Sequence, residues 1–416
     1  DEIAFTTAAA ASTGAALAAA TGDGDTLDNI LIDATHYAEV DINLGHDYAS
    51  IDVDYDAVIY VMDDTDDAGS PDLAITTTTN IASTKSLTVN MGIDAAGAQT
   101  AEGAAITMTL SGAVLGGGTL NVVAAAGVSD NLTHVVDFGS TITLAALDLT
   151  GGVGAGAEVG SALTLTDIDG AVEVTTLTFS GGVGAAGNAL GLGGAVILTD
   201  ISGAVSGTTY TISGGAGGTG AAGADGGLIT IAAHTGAVSS TTLNLLAGAG
   251  GDGSTLAGGD GGDIDIAAFS GAITSDTVNI TAGAGGAGLV NVVAADGGVG
   301  GDVIAGDMTS VITADLNITG GAGGAGADGT TAAGGAGADG GAVANLDFTT
   351  GDITGLVTLT GGAGGAAGAS VVGDGGVGAA GGLVKVDFNA NVNLIGDLVL
   401  VGGAAEIGRA SCRERV

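Results

Sequence analysis

The sequence holds one Pro, one Cys and no Trp in 416 residues, with only 6 Phe and 5 Tyr. Five basic residues stand against 46 acidic ones, a formal net charge of −41. Each shortage closes off a class of protein. A collagen triple helix needs abundant Pro beside its periodic Gly. A disulfide scaffold needs paired Cys. Nucleic-acid binding rests on clustered Lys and Arg, which this chain lacks. No run reads as a membrane span, because the uncharged stretches 103–129 and 174–199 are broken by Gly, Thr, Ser and Asn. What is abundant is Gly, 84 residues, together with Ala, Asp and Thr. The 46% hydrophobic content is inflated by Ala and does not signal a bulky core.

The last eleven residues, 406–416, hold three of the five basic residues (Arg409, Arg413, Arg415) and the only Cys, Cys412. Nothing upstream resembles them. The string resembles the in-frame translation of a sequencing adapter, so it is set aside from fold reasoning and the natural C-terminus is expected elsewhere. The N-terminus begins at Asp1 with neither Met nor a basic, signal-like segment, so a signal has been removed or this end is internal.

The chain repeats itself. Leu-Asn-Leu-Leu-Ala-Gly-Ala-Gly-Gly at 243–251 recurs as Val-Asn-Ile-Thr-Ala-Gly-Ala-Gly-Gly at 278–286 and Leu-Asn-Ile-Thr-Gly-Gly-Ala-Gly-Gly at 316–324. A constant unit of 22 residues occupies 130–151, 160–181, 193–214, 226–247, 261–282, 340–361 and 381–402. Residues 300–320 form a 21-residue version and 103–124 a degenerate one. The Gly-rich loops between units grow along the chain: 8, 11, 11, 13, 17, 19 and 19 residues.

Within a unit the apolar period is 2, not 3.6. In 226–247, Ile229 and Ile231 flank Thr230, and Leu243 and Leu245 flank Asn244. Three short strands per unit, separated by tight turns, predict an all-β fold. Its expected form is a right-handed parallel β-helix, a three-sided solenoid of about 22 residues per turn with the Gly-rich loops extruded at one corner. Nine such units stacked at about 4.8 Å would span roughly 43 Å. A β-sandwich would instead need hairpin signals at short intervals. Phe138, Ile168, Ile201, Phe269, Met308, Phe348 and Phe388 share the ninth position and predict an inward stack, which His234 enters as a core or corner residue. Gly170, Gly203, Gly236 and Gly271 share the eleventh, where a corner with positive φ is expected, and Asn391 would tolerate it.

The loops and the acids carry the unusual chemistry. Gly at near-threefold spacing, as in 214–225 and 320–328, permits polyglycine-II helices packed side by side, or else flexible linkers. Asp137, Asp167, Asp200, Asp307, Asp347 and Asp387 share the eighth, outward position. Such a ladder is either a solvated face or a set of hard oxygen ligands for Ca²⁺, the one cofactor expected. The strings 297–305 and 258–266 resemble the Gly-Gly-x-Gly-x-Asp-x-apolar-x nonapeptide of calcium-binding β-roll proteins. The second departs from it at Asp265, and the two lie 39 residues apart rather than in tandem. The acidic run Asp63-Asp64-Thr65-Asp66-Asp67 is a further calcium candidate or a solvated stretch. Asn131, Asn279 and Asn317 open Asn-x-Thr sequons, though Asn equally suits an outward strand position. With Lys85 and Lys385 the only cations upstream of the tail and four scattered His, no catalytic constellation assembles, and an enzyme is not expected.

Three segments follow: 1–102, a β-rich cap or irregular first units; 103–405, the repetitive body; and 406–416, the foreign tail. In the first, Val40–Leu44 and Val58–Met62 read as strands and Ala8–Ala20 as a possible short helix. The repeats resemble the β-helical stalks of bacterial surface and secreted adhesins, such as autotransporter passengers and filamentous-haemagglutinin-like proteins. That resemblance implies an extracellular or cell-surface structural protein that self-associates in a surface layer, sheath or filament. The alternatives are an adhesin stalk presenting loops to glycans or surfaces, and a cation- or ice-binding solenoid. Neither nucleic acid nor a membrane span is expected.

Overall fold

The computed structural model describes residues 2–4, 28–32, 39–43, 46–53, 56–62, 72–91, 107–124, 133–154, 159–187, 191–289, 295–329, 333–371, 374–389 and 391–406. The described residues are all-β: 29 strands and no helix. Each strand pairing is parallel. Partners are equivalent residues of successive repeats. Leu163 faces Val196, and Ile229, Ile264, Val303, Val343 and Val384 follow in turn. The sequence offset between partners lengthens along the chain because the strands lie in the constant unit while the loops take up the extra residues.

In-register pairing turns the period-2 pattern into columns. Phe138, Ile168, Ile201, His234, Phe269, Met308 and Phe348 form one inward column, all buried. Phe388 extends it, stacked on Phe348 with ring centroids 5.1 Å apart. Other columns carry Ile, Leu and Val, each buried side chain contributing about 1.5–3 kcal/mol.

The expected three strands per unit appear in 193–214 as Val196–Ile201, Val205–Ser206 and Thr209–Ser213, with Gly207 at the break. In most other units the second and third fuse, as in Val172–Ser180 and Val238–Leu246. The bend is still visible in the side chains. Thr175 and Thr176 both face outward, so the alternation changes phase within one strand, at a point where the pairing skips Ala145 and Thr175.

The strands of the first hundred residues join the same ladders. Glu2–Ala4, Asp28–Ile32, His46–Val53 and Asp72–Ile81 pair in succession, and the last pairs with Thr107–Leu110. Glu39–Asn43 and Ala57–Met62 form where the sequence predicts strands, and pair with each other. The Ala-rich segment 8–20, the acidic run 63–67 and residues 407–416 lie outside the described residues.

One expectation is corrected. Gly170, Gly203, Gly236 and Gly271 do not have positive φ, nor does Asn391; among the described residues positive φ occurs at Thr84, Asn345, Gly116, Gly117, Gly187, Gly351, Gly355 and Gly396. At Gly236 and Gly271 the backbones of successive units meet closely, although Ser140 and Ser310 occupy the equivalent place in other units. A Cβ on Gly236 would lie 1.9 Å from the carbonyl oxygen of Gly203, and one on Gly271 would lie 1.8 Å from that of Gly236. Gly236→Ala is therefore expected to destabilise the protein by about 1–3 kcal/mol through overpacking. Ala237→Ser, at the exposed neighbouring position, should leave stability unchanged. Thermal unfolding followed by circular dichroism distinguishes the two.

Candidate functional site

Two features stand out on the surface: the Asp column and the stack of Gly-rich loops. In the first, Asp137, Asp167 and Asp200 are register partners, as are Asp307, Asp347 and Asp387. The six residues therefore form two triplets rather than one site. They are separated at the level of Ala268, which pairs with Asp307. Successive carboxylates lie one strand spacing apart, about 4.8 Å. Burial, and then the charge of Asp169, raise the pKa of Asp137 above the usual carboxylate value. Asp167 is raised by burial and by Asp169, Asp200 and Asp137. Asp387 lies 3.9 Å from the Lys385 ammonium, both side chains well exposed. Among the described residues no group of three or more His, Cys, Asp or Glu is placed to hold a metal ion.

The loops form an ordered hydrogen-bonded stack. The N–H of Gly194 donates to Gly182, Gly215 to Gly194, Gly227 to Gly215, Gly248 to Gly227, Gly262 to Gly248 and Gly283 to Gly262. The series continues through Gly301, Gly321, Gly341, Gly362, Gly382 and Gly403. Its members come alternately from the outgoing and returning arms of successive loops. Three residues further out, Gly251, Gly259, Gly286, Gly298 and Gly324 form a second such series. Other N–H groups bond between like arms of successive loops, as Gly217 does to Ala249 and Gly250 to Ala284. Three residues per turn with lateral hydrogen bonds is the polyglycine-II arrangement that the Gly spacing permits. Gly is required because a Cβ on Gly215, Gly248 or Gly283 would fall 1.8–1.9 Å from the carbonyl oxygen of the preceding loop.

The returning arms carry acids of which the sequence reading missed Asp225, Asp296 and Asp339, and placed Asp260, Asp263 and Asp302 only within calcium-type nonapeptides. The Asp225 carboxylate accepts the N–H of Asp260 at 2.8 Å, and that of Asp260 accepts Val299 N–H at 2.7 Å. Asp263 accepts from Asp302 and Asp302 from Ala342; Asp296 and Asp339 accept from Ala336 and Ala380. Each carboxylate satisfies a backbone donor of the next loop that no carbonyl reaches. Their signal is the recurrent Ala/Gly-Asp-Gly-Gly at 224–227, 259–262, 295–298, 338–341 and 373–376. Burial raises the pKa of Asp263; the Asp302 N–H opposes this, and Asp302, Asp260 and Asp265 add repulsion. An open groove of about 380 Å³ lies along these arms, with Leu192 and Leu228 exposed among Asp225, Asp260 and Asp263.

Elsewhere the polar residues are structural. Asn317 Nδ2 donates to Asn279, Asn279 to Asn244 and Asn244 to Thr211, at 3.1, 3.0 and 3.4 Å. The sequon residues Asn279 and Asn317 thus build an outward amide ladder, while Asn131 lies outside the described residues. His234 is buried and stacks on Phe269 at 4.3 Å, and neither ring nitrogen has a hydrogen-bond partner. Burial pushes its pKa down to about 4, outweighing the opposing pull of the nearby backbone of Gly236 and of its own residue.

No family model matches the chain, and neither does any curated protein or solved structure. Among the described residues no helix is long and apolar enough to cross a membrane.

Two outcomes follow for stability. His234 binds its proton more weakly in the fold than its unfolded value of 6.5. Its neutral form is fully accommodated above pH 6.5, and stability falls as pH drops from there towards 4, by up to about 3 kcal/mol. His234→Phe should flatten that part of a urea-denaturation pH profile. Asp167 has the opposite sign, since its ionised form is disfavoured in the fold. Asp167→Asn should raise the melting temperature at pH 7 in low salt, and the gain should shrink in 1 M NaCl.

Proposed function

We propose that the parallel ladders close into a right-handed, three-sided β-helix with its loops extruded at one corner. We infer further that the protein is an extracellular structural component of a surface layer, sheath or filament that packs laterally through the loop stack. The observation carrying this reading is the continuous hydrogen-bond series from Gly182 to Gly403. Long loops on a monomer with no lateral role are free to remain flexible. Here every loop is committed to Gly by backbone contact, which builds a stiff, extended plate. The resemblance to adhesin stalks agrees with this, and so does the acidic surface, whose self-repulsion a saline medium screens. No enzymatic role is proposed.

The groove beside Leu192 and Leu228 favours a second reading, an adhesin stalk whose loops contact a glycan or another surface. A calcium ion shared between carboxylates of the Asp137–Asp167–Asp200 column would relieve the repulsion that raises Asp167. Negative-stain electron microscopy of the full chain, with and without millimolar Ca²⁺, tests these readings together. Ordered sheets or filaments are expected, and calcium dependence that Asp167→Asn abolishes would identify the column as the cation site. Monodisperse short particles under both conditions would overturn lateral assembly in favour of the stalk.

A further inference from the structure

We propose that the outward surface of the second and third strands of each unit binds ice. The inference goes beyond the assembly reading and does not depend on it.

The first observation is a segregation of charge. In units 193–214 to 340–361 these strands carry three carboxylates, Asp276, Asp315 and Asp352. The first strands and the loop segments leading into them carry ten over the same span, Asp225, Asp260, Asp263 and Asp302 among them. A chain of net charge −41 thus presents two adjoining surfaces much less acidic than the first-strand side.

The second observation is what fills that side. Ser206, Ser239, Thr274, Thr313 and Thr354 are register partners in one outward column. Thr176, Thr209, Thr242 and Thr277 form another, which Asp315 then interrupts, and Thr281, Thr319 and Thr360 a third. Between the last two runs the column of Thr178, Thr211, Asn244, Asn279, Asn317 and Thr358. Thr274, Thr313 and Thr354 are exposed.

Hydroxyls therefore recur at about 4.8 Å along the Ser/Thr runs, and neighbouring columns lie about 6.8 Å apart between alternate residues of a strand. Each hydroxyl both donates and accepts, and each Thr adds a methyl that orders adjacent water. Ice is an uncharged lattice of alternating donors and acceptors, so a neutral, periodic, bifunctional surface complements it. Carboxylates, which accept only and hold their own hydration, do not. The pleated ladder fixes the spacing before contact, so little ordering entropy is lost on adsorption. A neutral polysaccharide would share the hydrogen bonding, but sugar-binding faces use aromatic platforms. The aromatic residue on these strands in units 193–361, Tyr210, is buried.

The test is thermal hysteresis and ice-recrystallisation inhibition on the full chain. Wild type is expected to hold the freezing point below the melting point. The double variant Thr274→Lys/Thr313→Lys should lose at least fivefold of that gap, whereas Asp307→Asn on the acidic side keeps it. Unchanged circular dichroism and melting temperature establish that the Lys variants are folded, and Thr274→Val/Thr313→Val offers a milder pair should they not be. No hysteresis in wild type overturns the proposal. So does wild-type hysteresis in a folded double variant, or tighter binding to crystalline cellulose or chitin that the same substitutions abolish. Assembly, read by microscopy, fails or succeeds separately.

Discussion

Every feature of this molecule depends on the backbone hydrogen bond between equivalent residues of neighbouring repeats. A parallel ladder in strict register places like on like, so whatever a sequence position holds is multiplied into a column. For an Ile or Phe position the product is a core that no single unit could close. For an Asp position it is a line of like charges one strand spacing apart. For a Gly position it is a seam where two backbones touch. The same bond thus creates the stability, the electrostatic strain and the intolerance to added methyls.

The constraint explains why the architecture was largely legible in the sequence. The ninth-position residues from Phe138 to Phe348 could be aligned by eye because a column demands one residue class, and the structure places them together. Asp137, Asp167 and Asp200 were visible for the same reason. The reading faltered where two mechanisms leave one trace. The recurrent spacing of Gly236 and Gly271 is equally compatible with positive φ and with backbone contact, which differ only in three dimensions. The returning-arm acids Asp225, Asp296 and Asp339 were hidden because the loops vary in length and resist alignment. Their role, capping an N–H one loop away, has no signature within a single loop. The fused second and third strands escaped notice because the Thr175–Thr176 bend changes the phase of the alternation within one strand.

Electrostatics sets the character of the surface. A chain with two Lys upstream of its terminal segment cannot neutralise its acids by ion pairs. It uses backbone N–H groups instead, and the Asp225-to-Asp260 and Asp263-to-Asp302 bonds are examples. These donors carry no net charge, so they organise the carboxylates without cancelling their field. His234 shows the complementary solution inside. It remains neutral, stacks as an aromatic surface on Phe269, and leaves its ring nitrogens without a hydrogen-bond partner.

The loops lengthen from 8 to 19 residues while remaining bonded to one another. A plate whose height rises along its length is a wedge. Wedges laid side by side in one orientation accumulate angle and curve into an arc or tube. Laid alternately head to tail, they cancel the taper and tile a plane. Under the lateral packing proposed above, the gradient in loop length would set the curvature of the assembly.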